Sequence, residues 1–153
     1  MSISLTLQKY LADHGIAYDI VSHRHTGNTM NAVQAAHVPA DEVAKPVILE
    51  DEFGYLMAVV PANHRVKIGR VNKIVGRHMG LATEPELEAL FTDCELGAIP
   101  PIGEAYGIDT IIDDNLTECP DVYLEAGGHE DFIHLKGASF RKLMKHAQHA
   151  HIS

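Results

Sequence analysis

The chain has 153 residues, 46% hydrophobic and 22% charged, a composition ordinary for one soluble globular domain. Its longest uninterrupted apolar run, Leu56 to Ala62, is too short for a membrane span, and no basic-then-apolar secretory pattern opens the chain. Cys94 and Cys119 lack the count and spacing of a disulfide framework or a cysteine metal site, so a cytoplasmic protein with free thiols is expected. The net charge of −9 argues against coating of DNA or other nucleic acid, yet the charge is segregated. Arg65, Lys67, Arg70, Lys73 and Arg77 cluster, whereas His78 to Leu135 holds fourteen acids and no Lys or Arg. A local basic face on an acidic chain suits a partner that offers a few phosphates.

In chain order, Leu5, Leu7, Tyr10 and Leu11 before Gly15 predict a short helix, followed by a strand over Ala17 to Ser22. Asn31 to His37 predicts a second helix. Pro46 to Glu50 and Tyr55 to Val60 flank an acidic turn with Gly54 and predict a β-hairpin. Val66, Ile68, Val71, Ile74 and Val75 recur at helical spacing with basic residues between them, which predicts an amphipathic basic helix over Val66 to Met79. Thr83 and Glu86 form a capping-box pattern before a helix that turns Leu87, Leu90 and Phe91 inward. Gly97 to Gly103 is too rich in Gly and Pro for regular structure and too apolar for an ordinary exposed loop. Thr110 to Asp113, Val122 to Glu125 and Asp131 to Leu135 read as strands, and Ser139 to His149 as a final helix with Phe140, Leu143 and Met144 inward. Helices and strands follow one another without regular β-α-β alternation, so one α+β domain over residues 1–153 is expected, built on a mixed or antiparallel sheet.

The eleven histidines include His23-x-His25 and His146-x-x-His149, but neither pair brings an evident third ligand, and no metal is expected. His149 and His151 read as a fraying tail. A G-x-S-x-G elbow, a phosphate-binding G-x-x-x-x-G-K-[ST] loop and a G-x-G-x-x-G turn are all missing from the sequence, and Cys94 has no nucleophile signature around it. Lys45, at the start of an apolar strand, suits one phosphate as a point charge, and equally suits a strand-edge surface position. The Gly97 to Gly103 loop can offer backbone N–H groups to a carbonyl oxygen, or be a purely structural turn. Gly127-Gly128-His129 reads first as a hairpin turn.

The order and spacing of four segments resemble the YbaK/prolyl-tRNA synthetase-associated domain family of aminoacyl-tRNA editing deacylases. They are Val38-Pro39-Ala40-Asp41-Glu42-Val43-Ala44-Lys45 before a strand, Val59-Val60-Pro61-Ala62 before the basic segment, the loop from Gly97 to Gly103, and Val122-Tyr123-Leu124-Glu125-Ala126-Gly127-Gly128-His129. The resemblance implies a mixed sheet curled into a barrel-like core flanked by helices. It also implies hydrolysis of the ester joining a wrong amino acid to tRNA, with prolyl-tRNA carrying a small wrong residue as the substrate to expect. In this family the terminal ribose hydroxyl helps to position the attacking water, so no metal, cofactor or protein nucleophile is called for. By the resemblance Lys45 holds the 3′-terminal adenosine phosphate, and the backbone of Gly97 and Ala98 stabilises the tetrahedral oxyanion. Ile99, Pro100, Gly103 and His129 bind substrate, and Arg65, Lys67, Arg70 and Lys73 meet the acceptor stem. Mischarged tRNA is the implied partner, and an aminoacyl-tRNA synthetase a further one. Two departures stand out. Pro46 replaces the small hydroxylated residue usual after the lysine and has no backbone N–H to give, and Pro100-Pro101 doubles a proline that is more often single. The alternative is a catalytically inactive module of the same fold that binds tRNA or a synthetase, and a small-ester hydrolase is a weaker third reading.

Overall fold

In a computed structural model that describes residues 3–153, eight strands form one mixed sheet. They are β1 (Asp19–Ser22), β2 (Val43–Asp51), β3 (Gly54–Pro61), β4 (Gly80–Leu81), β5 (Asp109–Asp113), β6 (Asp121–Glu125), β7 (Asp131–Lys136) and β8 (Gln148–Ala150). Their order is β1-β7-β6-β2-β3-β5-β8, with β4 added on β2. The β2–β3, β6–β7, β1–β7 and β2–β4 pairs are antiparallel; β2–β6, β3–β5 and β5–β8 are parallel. The α+β fold with a mixed sheet is thus as expected, and the ladder is open, with β1 and β8 as its edges among the described residues.

Helices cover both faces: α1 (Leu5–Asp13), α2 (Thr29–Ala36), α3 (Ile68–Val75), α4 (Glu84–Leu90), α5 (Asp114–Thr117) and α6 (Gly137–Leu143). The two-residue period of the strands sorts the core. Ala44, Ile48, Met57 and Val59 pack with Leu7 and Leu11 of α1 and Phe140 and Leu143 of α6. On the other face, Leu49 and Val60 meet Val71 of α3, and Val43 meets Ala32 and Val33 of α2. Side-chain caps start several of the helices. Ser4 accepts from the Leu7 N–H at 3.1 Å, Asn28 from the Asn31 N–H at 2.9 Å, and Thr83 with Glu86 closes the expected capping box.

Three of the differences from the sequence expectation shape the site and the terminus. β2 begins at Val43, so Lys45 and Pro46 lie inside the strand. The Ala62 N–H donates to the Val43 carbonyl, so odd residues of β2 face β3 and the Pro46 nitrogen turns to the opposite edge. That edge pairs with β6 at Val43 and Ala44 and with β4 at Leu49 and Glu50, and is unpaired between them, where a missing N–H forfeits no ladder bond. The basic helix spans only Ile68–Val75, because Gly76 takes a left-handed φ of 69° and ends it; Ile74 is exposed. The final helix stops at Leu143, and the chain extends into β8 beside β5. His149 is therefore on a strand, and the terminus does not fray. Ile152 is fully buried on the α3 face, and Asp113 accepts the Ile152 and Ser153 N–H groups at 2.9 and 3.1 Å. Reaching that core from α6 requires an extended crossing rather than more helix.

Asp93 ties α1 to the segment after α4. It accepts from Ser4 Oγ at 2.7 Å, the Thr6 N–H at 2.9 Å and Tyr106 Oη at 3.1 Å. Burial disfavours its charge, but these donors outweigh burial and hold its carboxyl well below the usual Asp range. A depressed folded pKa stabilises the fold above the unfolded value of about 4, and that contribution is lost as pH falls toward the folded value. Asp93→Asn is expected to lower Tm at pH 7 and to flatten the decline of Tm below about pH 4, measured by thermal denaturation across pH. An unchanged acid limb would remove Asp93 from this role.

Candidate functional site

Lys45 stands between the two clusters of its sheet face, at the floor of an open depression of about 380 Å³ that Met30, Ala62, Asn63, His64 and Arg65 also line. Its Nζ donates to the His64 carbonyl at 2.9 Å and more weakly to the Ala62 carbonyl at 3.4 Å. Of its three N–H groups one remains for a ligand. Burial, and then the charge of Arg65, push its ammonium below the usual lysine range. A partly desolvated ammonium oriented by two carbonyls suits one phosphate oxygen.

The head of the Gly97 loop is a tight turn. The Ala98 N–H donates to the Glu95 carbonyl at 3.1 Å and Gly97 has a φ of 83°, which is a type II turn over Glu95–Ala98 with glycine at its third position. Gly127 locks this turn from behind, accepting the Glu95 N–H at 2.7 Å and donating to the Ala98 carbonyl at 2.8 Å. Gly127 has a φ of 103°, and a Cβ there would stand 2.9 Å from Ser4 Cβ, so only glycine lets this loop lie against the start of α1. The Leu96 carbonyl accepts from His129 Nε2 at 2.5 Å. The Leu96–Gly97 peptide is trans, so the Gly97 N–H points the opposite way, away from His129, and it has no acceptor among the described residues. Thr29 Oγ1 donates to the Gly97 carbonyl at 3.3 Å, while Met30, the next residue of α2, lines the Lys45 depression. The first turn of α2 therefore stands between lysine and glycine turn.

The other expected site residues divide. Ala98 is fully buried and its N–H is engaged inside the turn, so it has no donor left for a ligand, unlike Gly97. Ile99, Pro100 and Gly103 are buried, and Ile99 and Ile102 belong to the core, which explains the apolar character of the loop. Gly103 is set apart from Gly97 by packing. A Cβ there would meet Thr110 Oγ1 at 2.5 Å and the Ile108 carbonyl at 2.7 Å, and the residue borders a second cavity of about 370 Å³. His129, 5% exposed, stands behind the turn with its Cε1 3.2 Å from where a Gly97 Cβ would lie. Arg65, Lys67, Arg70 and Lys73 are exposed and without an ion pair among the described residues, whereas Arg77 is bound to Asp51 at 2.5 Å. Arg65 precedes α3 and borders the lysine depression; Lys67 immediately precedes the helix, and Arg70 and Lys73 lie on it. Cys94 sits 3.3 Å from Tyr106 Oη, and burial pushes its thiol up to about 12, which removes the thiolate a nucleophile needs.

Sequence reasoning weighed His25 only as half of a His23-x-His25 metal pair and did not single out Glu95 or Glu125 around His129. Glu95 accepts the His129 N–H at 2.7 Å and faces His25 at 3.5 Å, and the His25 and His129 rings meet edge to face at 5.6 Å. Glu125 ends β6 fully buried. A carboxylate closing the run Val122 to Leu124 was the only sign of it in the sequence.

An open mixed sheet with helices on both faces, a recessed lysine and a glycine turn beside one helix start define a class of small α+β domain. The chain belongs to the aminoacyl-tRNA editing domain family, whose model matches residues 23–143. Among solved structures it is similar to a candidate trans-editing enzyme for prolyl-tRNA synthetase, at 22% identity and a TM-score of 0.83, over 97% of this chain and 94% of that one. A hypothetical protein, APE2540, gives 20% identity and a TM-score of 0.83 over 96% and 98% of the two chains. A protein from Marinobacter aquaeolei VT8 described as a candidate signal transduction protein gives 20% identity and a TM-score of 0.80; the match covers 97% of this chain but 30% of that one. At these identities the likeness is one of fold. No curated protein is similar enough to match. No helix among the described residues is long and apolar enough to cross a membrane.

Proposed function

We propose that the chain is an aminoacyl-tRNA deacylase acting in trans on mischarged tRNA, with prolyl-tRNA bearing a small wrong amino acid as its substrate class. The observation that carries this reading, beside family membership, is the pair of open donors flanking the first turn of α2: the Lys45 ammonium and the Gly97 N–H. Lys45 binds the phosphate of the terminal adenosine, and the Gly97 N–H meets the ester carbonyl. As water adds to that carbonyl its oxygen gains charge, and a fixed donor in a partly desolvated turn strengthens its hydrogen bond then. By family likeness the terminal ribose hydroxyl positions the water. Ile99 and Pro100 back the pocket from the core side, and His129 acts on it through the turn it braces. The test is release of labelled amino acid from a panel of mischarged tRNAs, beginning with alanine, cysteine and serine on prolyl-tRNA. Selective release from one member is the expected result, and absence of release from all of them would refute the reading.

Arg65, Lys67, Arg70 and Lys73 extend the lysine depression as a track of unpaired cations for the acceptor stem. Changing Lys67, Arg70 and Lys73 together to Gln is expected to raise KM for full-length tRNA and to lower the salt slope of binding by up to about 0.9 per lost phosphate contact. Turnover of an aminoacyl-adenosine fragment, which has no stem, should be unchanged. Equal loss with both substrates would move the effect from the stem to the chemistry.

Pro46 favours a second reading, a tRNA- or synthetase-binding module without chemistry. It places a residue with no N–H at the unpaired stretch of the β2 edge, next to Lys45, where another residue would offer a free donor. Binding of mischarged tRNA without ester cleavage is its sign.

A further inference from the structure

The β6–β7 loop hides a buried acid that the reaction as described does not use. Glu125 is fully buried, neither of its carboxylate oxygens has a hydrogen-bond partner among the described residues, and Oε2 lies 3.8 Å from His129 Nδ1. Nδ1 is itself buried and without a partner. An unpartnered acid and an unpartnered ring nitrogen, buried face to face, each remain a desolvation penalty unless a proton joins them. The other ring nitrogen fixes which proton. Nε2 meets the Leu96 carbonyl, which can only accept, so Nε2 carries hydrogen and a neutral ring leaves Nδ1 as an acceptor. A protonated Glu125 is then the complementary donor, and a small turn of its carboxyl closes the gap.

We propose that Glu125 is a positioning residue: as a neutral acid it donates to His129 Nδ1 and fixes the tautomer whose Nε2–H clamps the Leu96 carbonyl, holding the Gly97 N–H toward the substrate. The inference rests on the deacylase reading for its effect on rate, but the clamp itself is independent of substrate. Burial, and then the negative charge of Glu95, push the Glu125 carboxyl up to about 8, so it is largely neutral at physiological pH. The charged and titratable groups that face the pair are few. Glu95 accepts the His129 N–H, His25 lies edge-on to the His129 ring, His23 just after β1 packs on Phe132 of β7, and Asp131 at the start of β7 accepts from Ser22 Oγ at 2.7 Å. As pH rises through the Glu125 range a carboxylate replaces the donor. It draws the ring hydrogen to Nδ1 and leaves Nε2 bare against the Leu96 carbonyl. The clamp then opens, and Leu96–Gly97 is free to rotate.

The experiment reads the His129 ring nitrogens by 15N NMR from pH 6.5 to 9.5 in the wild-type protein, in Glu125→Gln and in Glu125→Leu, with deacylation profiles of the same three. In the wild type, a single Nε2–H tautomer at pH 7 that is lost across pH about 8 is expected, with kcat falling over the same interval at unchanged KM. Glu125→Gln keeps an uncharged donor, so it should hold the tautomer and most of kcat and lose the alkaline change. Glu125→Leu should mix the tautomers and lower kcat about tenfold or more at all pH values. The same ring titration in wild type and Glu125→Gln, or none in either, overturns the clamp. Ring behaviour as expected with no deacylation of any tRNA leaves the clamp standing and overturns the deacylase reading instead.

Discussion

Lys45→Ala is expected to lower kcat/KM for deacylation about 10- to 150-fold with the fold intact. The figure follows from losing one charge-assisted hydrogen bond to phosphate, about 1.5–3 kcal/mol, at about 1.4 kcal/mol per tenfold change in rate. Stability should move little. The two carbonyls that Lys45 serves, those of Ala62 and His64, line an open depression where water can replace the ammonium, and the truncation also removes a cation whose charge burial disfavours. Lys45→Met separates charge from packing, because it keeps an apolar stem in the same place and should lose as much activity as Ala. Lys45→Arg should restore little: a planar fork does not fit a site shaped by two carbonyls around a point charge. Circular dichroism and Tm check the fold, and the salt slope of tRNA binding should shrink by about 0.7, the value for one single-strand phosphate contact. Full activity of Lys45→Ala would end its role as the phosphate anchor.

Much of the fold was legible in the sequence because its parts are punctuated by residues with local physical meaning. Thr83 and Glu86 announce a capping box that the structure contains, and the Asp51 to Gly54 turn announces the β2–β3 hairpin. The Gly97 loop betrayed itself by being both Gly/Pro-rich and apolar, and the structure resolves the contradiction: its head is an exposed turn and its remainder is core. Misreadings arose where tertiary partners outweigh local pattern. Pro46 looked like a strand start, yet it lies mid-strand because its edge has no partner there. Gln148 and His149 continued a polar helical pattern, yet the apolar Ile152 beyond them draws the chain across to the α3 face and makes a strand of Gln148–Ala150. The packing of Glu125 on His129 was not legible, since burial of a carboxylate beside a particular imidazole depends on the β6–β7 loop folding back against the Glu95–Ala98 turn, which no local spacing encodes.

Gly97→Ala should strike stability or chemistry, depending on how the turn responds. At a φ of 83° an L-residue is strained, and the new Cβ would lie 3.2 Å from His129 Cε1 and 3.3 Å from the Gly27 carbonyl. The variant has two ways to respond. If the turn keeps its shape, the strain lowers stability by about 1–3 kcal/mol, seen as a drop in Tm, and the His129 ring is pushed back. If the Leu96–Gly97 peptide flips to relieve the strain, φ at position 97 becomes negative, but the Leu96 carbonyl swings off His129 Nε2 and the Gly97 N–H turns inward, away from the substrate. The second outcome removes an oxyanion donor, a loss worth about 10²–10³ in kcat. The flip also has a signature distinct from general damage, because the His129 ring loses its carbonyl acceptor and its 15N shifts should change even where Tm falls only slightly. Near wild-type kcat in Gly97→Ala, with the ring shifts unmoved, would show that the reacting carbonyl is held by another donor.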